Sequence, residues 1–227
     1  SDNDNDNDND MIINKNIDSP IAYINNYLVN KEENYKFINQ GICCICNNGD
    51  VEQNQFLLKC EQCNVTVHQN CYGAQAKELY NWVCDACKEM SKEEVYNLEC
   101  LLCPVLGGAS KKIELPIEST FYNKIMEYKH NKIQLPKNNY TIIIPKNDYN
   151  KIAFAWVHLS CALWNPNINL KSFEKKTGIL LQNMTYEDFH SYCSLCKKDN
   201  CGPTIKCNND SCTDSYHPEC ARINNNR

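Results

Sequence analysis

A chain of 227 residues with 17 Cys, 7 Gly and a formal charge of −5 has a mean hydropathy of −0.59, and its 42% apolar content includes the thiols, so little ordinary core is expected. That balance excludes one large enzyme core and favours several small cross-linked modules. No apolar run approaches the roughly 20 residues that cross a bilayer, and the Ser-Asp-Asn-Asp start is unlike an export signal, so neither a membrane span nor a leader is expected.

Residues 1 to 10 alternate Asp with Asn, and their five aspartates equal the whole formal charge. Such a stretch has nothing to bury, and disorder is predicted over 1–18. Within 19–40, Ser19 as N-cap, Pro20 at the first helical position and Ile21, Ile24 and Leu28 at helical spacing predict one short helix, docked on the module that follows.

The cysteines then fall into pairs: Cys43/Cys46, Cys60/Cys63, Cys84/Cys87, Cys100/Cys103 and Cys193/Cys196 each fit Cys-x-x-Cys, while His68/Cys71, His158/Cys161 and His217/Cys220 fit His-x-x-Cys. A disulfide framework has no need of histidine at fixed spacing, whereas tetrahedral zinc takes thiolate and imidazole together, so metal in a reducing compartment is the reading. From Cys43 to Cys87 there are eight ligands, enough for two ions. Cys100, Cys103, His158 and Cys161 supply a third set. From Cys193 the first order repeats as Cys193, Cys196, Cys207, Cys212, His217 and Cys220, without a last Cys pair, as if the chain were cut within a domain. Each block of about 45 residues is too small to fold on apolar burial alone, so coordination must supply folding free energy. Closed four-ligand sites leave no open position for catalytic water.

Between the halves of the third set, residues 104–157 hold Lys111, Lys112, Lys124, Lys129, Lys132, Lys137, Lys146 and Lys151 against four acids. Helical periodicity over Ile117–His130 and β-branching over Thr141–Ile144 interrupt an Asn- and Lys-rich stretch that is expected to be largely mobile, with no active-site role. Cys44 and Cys201 are left over as apolar fillers, free thiols or substitute ligands. His130 and His190 lack a ligand partner at suitable spacing.

Cys60-Glu-Gln-Cys63, His68-x-x-Cys71 and Trp82-Val-Cys84-x-x-Cys87 resemble a PHD finger, with histidine fifth in ligand order rather than fourth as in a RING finger. Cys100-Leu-Leu-Cys103-Pro and Trp156-Val-His158-Leu-Ser-Cys161-Ala-Leu-Trp164 resemble a zinc knuckle and the opening of an extended PHD finger. With the string Val67-His-Gln-Asn-Cys-Tyr-Gly73, they are similar to the PHD, zinc knuckle, extended PHD (PZP) cassette of bromodomain-PHD scaffold and JADE-type chromatin proteins. The resemblance implies small zinc-stabilised α+β modules: a cross-brace PHD finger over 41–90, a zinc knuckle over 98–165 with its basic insertion, and an extended PHD finger, truncated at its C-terminus, over 166–227. It implies ion sites of Cys43, Cys46, His68 and Cys71, of Cys60, Cys63, Cys84 and Cys87, and of Cys193, Cys196, His217 and Cys220. With the knuckle set these are four complete Zn2+ sites, and Cys207 with Cys212 make half of a fifth.

The resemblance further implies a non-catalytic nuclear reader that binds the N-terminal tail of the third core histone and directs a larger chromatin-modifying complex. The bound peptide would add a strand to Gln55, Phe56, Leu57, Leu58 and Lys59. Asp50 and Glu52 would face a tail lysine and Glu61 a tail arginine; the alternative is that all three are solvated surface acids. Ionised thiolates bring the zinc-loaded chain to about −10, which suits a basic partner. Asn47 to Gln55 contains no aromatic, which predicts preference for unmodified lysine. Trp82 is expected in the core. Tyr80 stands where relatives carry a glycine that helps capture the peptide amine. Two further readings are DNA binding through the insertion and Lys171, Lys175, Lys176, Lys197 and Lys198, and a RING-like ubiquitin ligase.

Overall fold

The computed structural model describes residues 41–51, 56–75, 80–116, 142–143, 152–185 and 187–224. The acidic stretch over 1–18, the helix within 19–40, Glu52, Gln55, His130 and Lys124, Lys129, Lys132, Lys137, Lys146 and Lys151 lie outside the described residues.

The folding unit that recurs is a tight loop after a Cys-x-x-Cys pair. Asn47, Asn64 and Lys197, each following the second cysteine, have φ of 59°, 62° and 55°, and their N–H groups donate to the carbonyls of Cys43, Cys60 and Cys193 at 2.9 Å. Asn tolerates the left-handed region because its short amide bonds locally, which suits it to two of these turns. After Cys103 the chain has Pro104, whose ring fixes φ near about −65° and forbids that turn, so the backbone leaves as a strand.

In the first finger β1 (Leu57–Lys59) pairs antiparallel with β2 (Thr66–His68), Leu58 opposite Val67. The short helix α1 (Gln69–Tyr72) ends on Gly73 at φ 73°. Helices α2 (Asp85–Glu89) and α3 (Lys92–Tyr96) follow, the latter started by a reciprocal Ser91–Glu94 capping box. Next β3 (Glu99–Cys100) pairs with β4 (Cys103–Leu106). A three-stranded sheet then places β7 (Ile152–His158) between β5 (Ser110–Pro116) and β6 (Ile142–Ile143). Helix α4 (Leu159–Trp164), the hairpin of β8 (Asn169–Ser172) and β9 (Thr177–Leu180), a 3-10 turn over Glu187–His190, the hairpin of β10 (Ile205–Lys206) and β11 (Ser215–Tyr216) and α5 (Pro218–Ile223) complete the order.

Two expectations need correction. Residues 104–116 and 152–157 are not an unstructured insertion: β5 and β7 pair along seven positions from Ser110↔His158 to Pro116↔Ile152, with Ile113, Leu115, Ala155 and Val157 buried. Nor is ordinary core scarce. Val65, Val67, Leu101, Leu102, Trp156, Leu159, Ile179 and Phe189 join the buried thiols in one apolar cluster that runs through all three modules. Trp82 is buried in it, edge-on to Tyr72 at 4.9 Å between ring centroids.

Candidate metal centres and peptide-binding edge

Four groups of four donors converge: Cys43, Cys46, His68 and Cys71; Cys60, Cys63, Cys84 and Cys87; Cys100, Cys103, His158 and Cys161; Cys193, Cys196, His217 and Cys220. Within each, all ligand atoms lie within 4.8 Å of one another. The first two sets interleave along the chain, which braces the two loops around the β1–β2 hairpin. Zinc–sulfur bonds near 2.3 Å and zinc–nitrogen bonds near 2.0 Å require tetrahedral edges of about 3.8 Å between sulfurs and about 3.6 Å between sulfur and nitrogen. Cys46 and Cys71 Sγ lie 3.3 and 3.8 Å from His68 Nδ1, and Cys103 and Cys161 Sγ lie 3.3 and 3.9 Å from His158 Nδ1. Cys196 and Cys220 Sγ are each 3.6 Å from His217 Nδ1, and Cys63 and Cys84 Sγ are 3.7 Å apart. These donor sets fit zinc, and no cysteine is disulfide-bonded.

The surroundings favour ligation. Main-chain N–H groups of His68, Cys84 and His158 donate to Cys43, Cys60 and Cys100 Sγ at 3.2, 3.3 and 3.3 Å. The Cys71 thiol donates to Cys43 and, against the opposing effect of burial, brings the Cys43 thiol down to about 5. Burial works to lower the His158 imidazole, but the Cys100 thiolate outweighs it and lifts the ring to about 9. His158 Nε2 meets the carbonyl of Gly107, and His217 Nε2 lies 3.2 Å from the carbonyl of Gly202. These contacts fix the tautomer that turns Nδ1 toward the sulfurs. Gly107 and Gly108, at φ 71° and 78°, are what let backbone come this close. A Cβ on Gly108 would stand 3.0 Å from the His158 ring.

Cys207 and Cys212 stand in none of the four tetrads and are half-buried. Cys44 is buried where the modules meet, its thiol pushed well up by burial. It has the Ala109 backbone, Glu219 and Arg222 around it and is in no tetrad. His190 pairs with Asn200 rather than with a thiol cluster.

Several residues that are not ligands organise these centres through partners distant in sequence. Tyr72 Oη donates to the Ser110 carbonyl at 3.2 Å and accepts the Asp85 N–H at 2.9 Å. Lys111 is buried, with its ammonium 2.6 Å from Asp85 and 3.9 Å from the Tyr72 ring centroid. Lys112 reaches Glu89 at 2.6 Å. Glu219 is buried between Ser160 and Arg222. Of the lysines read as a basic surface, Lys111 and Lys176 are buried and Lys112 is paired with Glu89, while Lys171, Lys175 and Lys197 are exposed.

On the first finger, the Gln69 N–H donates to the Phe56 carbonyl at 2.8 Å and the Cys60 N–H to the Val65 carbonyl at 2.9 Å. Hydrogen-bonded pairs alternate along an antiparallel ladder, so Leu58 aims its main-chain groups at β2 while those of Leu57 and Lys59 face the other edge. Among the described residues β2 is the one strand paired with β1. Asp50, Phe56, Lys59 and Glu61 are exposed, Leu57 is half-buried and Leu58 is buried. Tyr80 is 94% exposed.

Interleaved tetrads around a hairpin, a β-rich knuckle set and a second finger define the PHD, zinc knuckle, extended PHD class of zinc module. Residues 54–88 match the PHD-finger family and residues 143–226 the PHD-zinc-finger like domain. Human "E3 ubiquitin-protein ligase Jade-2" is 29% identical over 181 residues, 79% of this chain and 18% of that protein. Arabidopsis thaliana "Histone-lysine N-methyltransferase ATX2" is 27% identical over 186 residues, 79% of this chain and 13% of that protein. The crystal structure of the zebrafish PHF14 PZP superposes with a TM-score of 0.51 at 27% identity, covering 79% of this chain and 73% of that one. The chain spans between 4% and 27% of the length of the curated relatives it matches.

Proposed function

We propose that this chain is a non-catalytic chromatin reader acting in the nucleus, whose first finger takes up an unmodified histone N-terminal tail by strand addition and so directs a larger chromatin-modifying complex. The open main-chain edge at Leu57 and Lys59 carries this reading: an extended peptide pairing there gains backbone hydrogen bonds without displacing β2. The exposed acids Asp50 and Glu61 flank that edge in sequence and, with Glu52, suit a basic tail. Gln55 and Phe56 would extend the ledge upstream, beside the buried anchor Leu58. The class of module and the histone-directed name of one relative support the same direction.

The test is a titration of unmodified and lysine-methylated tail peptides against the zinc-loaded chain. Leu57→Pro removes one outward N–H and should weaken binding about tenfold, the worth of one good hydrogen bond. Glu61→Ala should weaken it about two- to fivefold, as for an exposed ion pair. Unchanged affinity in both variants would remove β1 as the docking edge.

A further inference from the structure

Two of the four metal centres are built on the same local plan and touch across a module boundary. In the knuckle set His158 caps α4 and Cys161 lies within it; in the extended finger His217 caps α5 and Cys220 lies within it. All eight ligands of these two sets are buried, so neither ion is reached unless a ligand-bearing segment moves. The residues just before those two cysteines join the helices: Ser160 donates its hydroxyl to the Glu219 carboxylate, and both residues are only 2% exposed. The same carboxylate takes Arg222 Nε at 3.0 Å and Nη2 at 2.5 Å, so its buried charge is compensated. In the first finger the matching residue, Asn70 of His68-Gln-Asn-Cys71, is exposed.

A second tie runs through Gly202. Its φ is 126°, and a Cβ there would stand 2.2 Å from the Leu102 carbonyl oxygen and 2.9 Å from the Cys103 nitrogen. Leu102 lies between the knuckle ligands Cys100 and Cys103, and its own N–H donates to Cys100 Sγ at 3.3 Å. The carbonyl of Gly202 is the group that meets His217 Nε2. This glycine therefore abuts the knuckle's Cys-x-x-Cys loop with its Cα and orients an extended-finger ligand with its oxygen. Displacing the loop frees that carbonyl and shifts the aim of the imidazole.

We propose that the knuckle and extended-finger sites form one cooperative metal unit. Ser160 with Glu219, and Gly202 with Leu102, tie the ligands of one ion to those of the other, so that the two zinc ions are taken up and lost together. These four residues position ligands and coordinate nothing themselves. Coupling of this kind is reciprocal, each ion raising the other's affinity by the same factor. Neither tie includes a ligand-bearing segment of the first finger, whose two sites lose metal independently of this pair. The inference does not depend on which peptide the first finger reads.

The experiment is timed zinc loss from the full chain into excess chelator, with native mass spectrometry counting ions and cysteine alkylation assigning the emptied sites. Wild-type chains lacking both ions of the unit should outnumber chains lacking only one of them by at least about tenfold, as for sites within one network. Ser160→Ala leaves a buried Glu219 oxygen without its donor. It should make chains lacking one of the two ions at least as frequent as chains lacking both, with release from the first finger unchanged. Gly202→Ala should do the same through the other tie. A smaller excess in wild type, or paired loss preserved in either variant, would overturn the proposal. Should the variants fail to fold, the wild-type count decides, with hydrogen exchange of the zinc-loaded chain beside it. The amides of α4 and α5 should exchange as one unit, and rates about threefold or more apart contradict the proposal.

Discussion

Cys44 and Cys43 are neighbours with opposite fates. Cys43 is drawn toward the thiolate by its tetrad, while Cys44 points away from it into the junction of the modules and is kept neutral by burial. Cys44→Ala should therefore retain four zinc ions and lose about 1 kcal/mol of stability from the missing sulfur's contacts, read by mass spectrometry and chemical denaturation. Loss of an ion would make Cys44 a ligand. Ligand identity was legible in the sequence because two-residue spacings are local and the donor types are few. Lys111 was not: in sequence it sits in a basic run, and its burial is imposed by Asp85, 26 residues earlier. Glu219 likewise depends on Ser160, 59 residues away. Pairings of that range leave no periodic trace. Glycines 107 and 108 were equally silent, since the close approach they permit exists only once the modules pack.

At the scale of the hairpin, the two main-chain edges of β1 separate folding from the proposed binding. Leu57→Pro removes an outward N–H, whereas Leu58→Pro removes one that pairs with β2 and leaves a buried acceptor unpaired. The second substitution should unfold the first finger, costing roughly 3 kcal/mol or more, and circular dichroism with zinc counting would tell it from the first. Two equally folded variants would mean that the ladder register is wrong. The hairpin's place between ligand pairs was readable from spacing, but its start at Leu57 rather than Phe56 was not, because apolar content continues into Phe56. The larger correction concerned 104–116 and 152–157. Asn and Lys content argued for a mobile insertion, yet the alternation in Lys111-Lys112-Ile113-Glu114-Leu115 supports a half-buried strand paired to Ile152–His158.

Across the whole molecule, one short helix joins the modules. His68 and Cys71 hold the first site, Tyr72 bonds to the strand that opens the knuckle sheet, and Gly73 receives the turn of the extended finger. In the string Val67-His-Gln-Asn-Cys-Tyr-Gly73, Val67 pairs with Leu58, His68 and Cys71 are ligands, Tyr72 bonds to Ser110 and Asp85, and Gly73 meets Lys175. Tyr72→Phe should leave both the Ser110 carbonyl and the Asp85 N–H without that partner and cost about 1–3 kcal/mol, measured as a lowered denaturation midpoint of the zinc-loaded chain; an unchanged midpoint would show that the modules do not lean on this contact. Protons compete with zinc throughout. Zinc needs the neutral imidazole, and His158 is lifted to about 9 by the Cys100 thiolate against burial. Affinity of the knuckle site should thus climb as pH rises toward that value and fall below it, with net proton release on zinc binding at neutral pH. Calorimetry in two buffers of different ionisation enthalpy measures this release, and a buffer-independent enthalpy would contradict it.

The central claim is that bound zinc, placed by four Cys/His tetrads, holds this fold together. Native mass spectrometry of the purified chain, before and after chelation and with hydrogen exchange read in parallel, addresses it most directly. The account predicts four zinc ions per chain, all thiols reduced, and loss of protection in both fingers and the knuckle once the metal is stripped. A chain that carries disulfides, or that keeps its protection with no zinc bound, would contradict it.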